Sequence, residues 1–305
     1  MNINEMNPFF TVVIPTHNRS AYLKEAVESV LAQTFTDFEL IIVDDHSEDD
    51  TKQVVQSIPD GRIKYILNDH APGGAGARNA GIFRAKGEWV AFLDDDDLWL
   101  PKKLVLQRKK IQELDASVGL IYTGYARYDS QSRKEISVHI PRKEGWLRDE
   151  LLEKNYIGPF SSVVVRTPLL KELGGLDENF PASQDYDLYF RIASSKKISF
   201  VGEKLVIFRQ DSPHRITGNL RKKFIARSLF WDKHSDSINN PRLKHIVASR
   251  SFLAAMLLRK WKFLPRFLPW TIAGLFLDLP NFFRTWRLLI RSCLKKKGLP
   301  SEGSL

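Results

Sequence analysis

Two hydrophobic periods alternate along the first two thirds of this chain. Residues 9–15 (Phe-Phe-Thr-Val-Val-Ile-Pro) are a continuous apolar, β-branched run that ends at a proline. Such a run predicts a strand buried on both faces, as in a parallel sheet. A polar loop, Thr16 to Ser20, follows, and Ser20 is placed to cap a helix through about Gln33. In that helix Leu23, Ala26, Val27, Val30 and Leu31 share one face. Residues 38–43 form a second apolar run and stop at Asp44-Asp45. Asp49-Asp50-Thr51 opens another helix, and residues 63–67 form a third strand. The glycine-rich residues 71–76 lead as a loop into a helix over 77–85, and residues 88–93 form a further strand. This β-α-β-α order predicts a parallel sheet with helices on both faces.

Beyond Pro101 a helix is expected to about Leu114, then a strand over 118–122 and a polar hairpin or excursion over 125–145. Residues 160–166 read as a strand, with a short helix from Pro168 and a turn at Gly174-Gly175. A helix opens at Ser183-Gln184-Asp185-Tyr186-Asp187, followed by short strands over 198–201 and 205–208. No internal repeat or low-complexity segment interrupts this order.

The strand over 88–93 runs into Asp94-Asp95-Asp96-Asp97. Four adjacent carboxylates repel one another, and a hard divalent cation such as Mg2+ or Mn2+ relieves that by taking oxygen ligands. A solvated turn or a helix cap before Pro101 is the plainer alternative. The strand-end position favours a site, because ligands of open α/β sheets bind outside the carboxyl ends of strands. Asp44-Asp45 ends a second such strand, so one crevice is expected to hold both sets.

The chain has 305 residues, 43% hydrophobic and 27% charged, which suits a folded protein with a sizeable core. Cys293 is its only cysteine, so no internal disulfide forms and a reducing compartment fits. Met1 to Glu5 lacks a basic stretch followed by an apolar one, and no run of about 18 uncharged apolar residues occurs. A cytoplasmic chain without signal peptide or membrane span is therefore expected. The net charge of +10 is uneven: residues 241–305 carry 13 Lys and Arg against 2 Asp and Glu, whereas the rest is nearly balanced.

Six stretches together resemble family 2 glycosyltransferases, which have the GT-A fold. They are Val12 to Arg19, Ile42 to Ser47, Gly74 to Gly81, Phe92 to Asp97, Leu173 to Asp177 and Gln184 to Leu188, in family order across residues 10–210. The resemblance implies a nucleoside-diphosphate sugar donor, often UDP-linked, and inversion at the anomeric carbon. It makes Asp45 the acceptor for the base and places Pro15 and His17 against that base, with histidine where the family often has tyrosine. Asp96 matches the metal ligand of the DxD element and Asp94 the carboxylate near ribose and metal. Asp95 takes the variable middle position, and Asp97 is structural or supports the ligands. Arg78 either helps hold the donor or pairs with an aspartate of the run.

Asp185 matches the catalytic base, at a helix N-terminus where the dipole favours its ionised form. Gln184 replaces a glutamate common in relatives, and Asp187 is the expected structural partner. Residues 211–217, with His214 and Arg215, resemble a loop that closes over the donor phosphates. A metal-dependent inverting glycosyltransferase is thus the leading reading. A nucleotidyltransferase is the alternative, disfavoured by the absence of a lysine-rich phosphate loop beside the acidic strand end. A non-catalytic nucleotide-binding protein with a basic interaction tail is the third.

The expected division is a catalytic domain over 1–215 and a helical extension over 216–305. From Ser251 to Leu299 apolar and basic residues alternate, with Trp261, Phe263, Phe267, Leu268, Trp270 and Phe283 among Arg259, Lys260, Lys262, Arg266, Arg284, Arg287, Arg291 and Lys295 to Lys297. Interfacial helices combine such groups, so this tail is expected on the inner face of the cell membrane. That place suits a lipid-linked acceptor of envelope polysaccharide assembly and needs no nucleic acid. Packing on the catalytic domain or a homodimer contact is the alternative.

Overall fold

A computed structural model of the chain describes residues 7–129, 132–210, 219–280, 282, 283 and 287. Residues 211–217, with His214 and Arg215, lie outside the described residues, as do Arg284, Trp286, Arg291 and Lys295 to Lys297. The chain begins β1 (Phe10–Thr16), α1 (Ser20–Leu31), β2 (Phe38–Asp44), α2 (Thr51–Gln56), β3 (Ile63–Leu67), α3 (Gly74–Arg84) and β4 (Trp89–Phe92). It continues β5 (Leu98–Trp99), α4 (Lys103–Gln112), β6 (Val118–Asp129), β7 (Lys134–His139) and α5 (Arg148–Glu153). Next come β8 (Val163–Arg166), α6 (Thr167–Glu172), α7 (Gln184–Ala193) and β9 (Lys197–Arg209), and α8 (Leu220–His234), α9 (Pro241–Leu257) and α10 (Leu264–Leu277) complete the order.

One sheet runs β3-β2-β1-β4-β8-β6-β9-β5, with β7 added on β6. Its first part is parallel as the periodicity predicts: β1 pairs with β2 and β4, and β2 with β3. Every residue of β1 and β2 is buried, which explains their unbroken apolar runs. β1 is the point where the strand order turns, with β2 on one side and β4 on the other. The register sets Thr16 opposite Asp44 and Val13 opposite Phe92, so the carboxyl ends of these three strands share one edge.

Past β4 the sheet is mixed. β8 runs antiparallel to both β4 and β6, and β6 runs parallel to β9. β6 reaches seven residues beyond the predicted strand, because β7 and β9 pair with its polar half. The two short strands expected over 198–208 are one strand, β9, whose register against β6 shifts on either side of Gly124. A Cβ on Gly124 would lie 2.7 Å from the His139 carbonyl and 2.8 Å from that of Glu203. Gly202 and Glu203 lie between Val201, opposite Thr123, and Lys204, opposite Gly124, so β9 passes through them as a bulge.

Three boundaries depart from expectation. α1 starts at Ser20, but its cap position is Arg19 and not Ser20, whose N–H Asp49 accepts at 2.9 Å. α3 begins at Gly74 and not at residue 77, because Gly73, at φ +110°, makes the turn that the loop was expected to make. Residues 160–162 form a single tight turn, and the strand proper begins at Val163.

The described residues fall into two compact units. The first is drawn from Met1–Arg148, Asn155–Glu178 and Gln184–His214 and holds the sheet. Its core includes Phe10, Ile14, Leu40, Ile42, Trp89 and Val164. The second is drawn from Asp149–Lys154, Asn179–Ser183 and Arg215–Leu305, and α8, α9 and α10 make up most of it. Asn219 and Asn240 cap α8 and α9 with their side chains. Trp231 packs edge-on to Phe267, with ring centroids 5.7 Å apart. Gly274 of α10 sits directly on the His245 ring of α9, where a Cβ would collide. His245 Nδ1 donates to the Trp270 carbonyl at 2.9 Å. Among the described residues no helix is long and apolar enough to cross a membrane.

Candidate active site

The edge at the carboxyl ends of β1, β2 and β4 gathers the polar residues. Asp44, buried at the end of β2, accepts the Ser47 N–H at 2.8 Å and the Tyr65 hydroxyl. Asp45 is half-buried. One of its oxygens accepts from the Asn68 amide at 2.6 Å and the other from the Gly73 N–H at 2.7 Å. Asp45 therefore ties the β2 end to the start of α3 and caps no helix. His17 is exposed, and its Nδ1 donates to the Asp45 carbonyl at 2.8 Å. That bond leaves Nε2 as the acceptor for the Asn18 amide at 3.2 Å. Pro15 is a buried residue of β1, paired with Val43.

The acidic run is not a solvated turn: Asp95, Asp96 and Asp97 are all buried. Arg19 holds two of them, donating to Asp95 at 2.9 Å and to Asp96 at 3.2 Å. Thr16 adds a hydroxyl to Asp95 at 3.0 Å. Burial, ahead of repulsion from Asp96, pushes the Asp95 carboxyl up to about 6 against the pull of Arg19. Asp97 accepts from the Ser161 hydroxyl at 2.5 Å and the Arg209 N–H at 3.1 Å. Burial together with the charges of Asp96 and Asp94 raises its carboxyl well above the usual range. One carboxylate oxygen from each of Asp94, Asp96 and Asp97 lies within 4.8 Å of the others. Asp97 thus joins the two expected ligands in the cluster itself.

α3 and α7 supply the other side. Arg78, buried in α3, pairs with Asp94, donates to the Gly74 carbonyl at 2.8 Å and lies 4.4 Å over the Phe160 ring. Both expectations for Arg78 need it here, and its pairing with the run is the one realised between protein groups. Asp185 is half-buried in the first turn of α7. Burial pushes its carboxyl up to about 6, and Asp94 adds to the rise, while the Tyr186 N–H and Arg78 oppose it. The helix N-terminus does not win here, contrary to expectation, because desolvation of the charged form outweighs it. One turn on, Tyr189 is fully buried and edge-on to Phe160, and its hydroxyl has no hydrogen-bond partner among the described residues. Asp187 is the structural partner expected. It accepts from Arg191 at 2.8 Å, and Arg191 also donates to the carbonyls of Leu173 and Gly175. That network fastens α7 to the turn at Gly174-Gly175, both at φ +71°.

Arg19, Thr16, Ser161 and Tyr189 escaped the sequence reading as site residues. Arg19 stands in a family-like stretch at a strand end facing four carboxylates, so charge balance was a usable signal. Ser161 is 64 residues from Asp97 and gave none.

The donor set is all oxygen, anionic and converging, which suits a hard divalent cation such as Mn2+ or Mg2+. Such an ion would relieve the repulsion that raises Asp97. Asp185, deprotonated near neutral pH and close to Asp94 in charge coupling, can accept a proton beside it.

The sequence profile described as Glycosyl transferase family 2 matches residues 11–171. Two Rickettsia proteins described as uncharacterized glycosyltransferases are 31% and 30% identical over 213 residues, 68% of this chain, and the match spans 65% of the length of each. The UDP-Glc:alpha-D-GlcNAc-diphosphoundecaprenol beta-1,3-glucosyltransferase of Escherichia coli is 31% identical over 232 residues, covering 76% of this chain and 87% of that one. Among solved structures, S. aureus TarS residues 1–349 in complex with UDP-GlcNAc aligns over 97% of this chain and 93% of that chain, with a TM-score of 0.60 at 17% identity. A mannosyltransferase of Pyrobaculum calidifontis in complex with GDP-Man and Mn2+ aligns over 95% and 87%, with a TM-score of 0.59 at 21% identity. The sheet order, these structural likenesses and the profile match agree: the chain has the GT-A fold and belongs to glycosyltransferase family 2.

Proposed function

We propose that this chain is a metal-dependent inverting glycosyltransferase that moves a sugar from a nucleoside diphosphate, UDP in our reading, to a hydroxyl of a lipid-linked or envelope-polysaccharide acceptor. One observation carries the reading: three carboxylates converge at the turning point of the sheet, with a fourth, Asp185, held near 6 beside them. Asp96 and Asp94 would hold the cation, Mn2+ or Mg2+, with Asp97 beside them. When bound, the ion supplies charge neutralisation for the departing diphosphate.

The chain's own groups do the rest. Asp45 accepts from the N–H of the base, for which its oxygens retain free lone pairs. Pro15 and His17 support the base, while Arg78, Asp94 and Asp95 shape the donor site. Asp185 removes the acceptor hydroxyl proton while that oxygen bonds to the anomeric carbon and the bond to the diphosphate breaks on the opposite face. Residues 1–215 form the catalytic domain in this reading. Residues 216–305 form an extension that keeps the enzyme on the cytoplasmic face of the membrane.

The relatives support this choice of substrates. The E. coli protein is named for UDP-Glc and a diphosphoundecaprenol acceptor. TarS was solved with UDP-GlcNAc, and the mannosyltransferase with GDP-Man and Mn2+. Calorimetry of UDP with Mn2+ tests the donor site. Asp96→Asn should lower the metal-dependent affinity at least ten-fold, since one charged ligand is lost. Equal affinities in the wild type and the variant would remove Asp96 from the metal site.

A further inference from the structure

α10 turns one face inward and one outward. Phe267, Thr271 and Gly274 are buried, with Gly274 seated on the α9 ring of His245. The opposite side exposes Leu268, Ile272, Leu275 and Phe276, the last 88% accessible. Their spacing of i, i+4, i+7 and i+8 makes one apolar stripe about 100° wide. No charged or polar residue interrupts it. The turn that leads into α10 exposes Arg259, Trp261 and Lys262, and Arg287 is exposed beyond its end. Two acids lie close by: Asp278 is buried and accepts from Arg242 at 2.8 Å, and Asp232 pairs with Arg266 of α10 itself.

A stripe this apolar needs a cover, and the residues that flank it in the chain say which. A second copy docking symmetrically here would bring the cations of both chains together, while Asp232 and Asp278 are each taken by an arginine of their own chain. A span is excluded by length, since 14 residues reach about 21 Å against a hydrocarbon core of about 30 Å. An anionic lipid surface answers both features: its acyl boundary takes the stripe, its headgroups take the cations, and Trp261 suits the level between. We propose that the outward face of α10, preceded in the chain by exposed Arg259 and Lys262 and followed by exposed Arg287, inserts into the surface of an anionic phospholipid bilayer. The inference deepens the peripheral location proposed above and rests on it.

Sedimentation of the full chain with vesicles tests both. Wild type should pellet with mixed phosphatidylglycerol–phosphatidylcholine vesicles and much less with phosphatidylcholine alone. About 0.5 M salt should weaken the binding several-fold by screening the cations. Ile272→Asp with Phe276→Asp should reduce partitioning by about ten-fold or more, since a charge in the acyl boundary is costly. Both sites are exposed, so Mn2+-dependent UDP binding should persist and serves as the folding control. If that control fails, Arg259→Glu with Lys262→Glu takes its place and should reduce binding to the anionic vesicles several-fold. Wild type that ignores anionic vesicles at low salt would sink the peripheral location and this face together. Wild type that binds while either variant binds equally well would overturn the face and leave the location standing. Equal binding to phosphatidylcholine would overturn the role of the cations. A wild-type dimer that the Ile272/Phe276 variant dissolves would assign the face to a second copy and overturn the proposal.

Discussion

Asp185 stands where two residue-scale effects oppose each other. A helix start favours its charge, and burial beside Asp94 disfavours it; burial wins, leaving the carboxyl near 6. A proton acceptor works only when deprotonated, so kcat/KM for transfer should fall with one proton as pH drops through about 6 and level off above it. With saturating metal, a profile flat down to pH 4.5 would contradict the assignment. Asp185→Asn should keep UDP and metal binding but slow transfer by roughly two to four orders of magnitude. Single-turnover assays with labelled donor would show it. Tyr189, with its unpartnered buried hydroxyl one turn away, had no signature in the sequence. An apolar-face tyrosine reads as core, and only packing shows that its hydroxyl is left without a partner among the described residues.

At the scale of elements, the site depends on how closely the loop before α3 folds back. A methyl on Gly76 would run into the Ala71 main-chain carbonyl, which cannot move without shifting the loop that Asp45 and Asn68 hold. Alanine normally stabilises a helix over glycine by about 1 kcal/mol. Here the sign should reverse: Gly76→Ala should destabilise by about 1–3 kcal/mol, the usual cost of overpacking. It should also weaken UDP binding by displacing Arg78 from Asp94. Gly61→Ala, with nothing within 4 Å of its new methyl, is the control and should be neutral. Urea unfolding of the pair decides it, and equal midpoints would show that the loop yields.

For the whole molecule, the cost of gathering carboxylates should appear in global stability. A carboxyl raised on folding stabilises the folded chain fully below its ordinary value of 3.8, and that contribution is lost as pH rises through the folded value of about 6. Metal-free Asp95→Asn should therefore match the wild type near pH 4 and exceed it at pH 7 by on the order of 3 kcal/mol, two pH units of linkage. Chemical unfolding at both pH values measures this; a variant less stable at pH 7 would mean that the pairing of Arg19 with Asp95 outweighs burial.

Sequence by itself determined the alternating elements through β4, because a doubly buried strand and an amphipathic helix each leave a periodic trace. It also determined the strand-end positions of Asp44, Asp45 and Asp94 to Asp97, since those follow from where apolar runs stop. Tertiary structure alone decided the rest. The unbroken course of β9 and the extension of β6 come from cross-strand hydrogen bonds between polar segments that look like turns. The entry of Asp97 into the cluster comes from burial against Ser161 and the Arg209 main chain, and the capture of Asp95 and Asp96 by Arg19 from the return of the β1 loop. In α10 the sequence showed apolar and basic residues together, but which side chains fill the helical core and which face outward depended on where Gly274 meets His245. Periodicity is a local property that a short window can display. Desolvation and partner choice depend on what the whole fold brings within a few ångströms, and no window of sequence contains that.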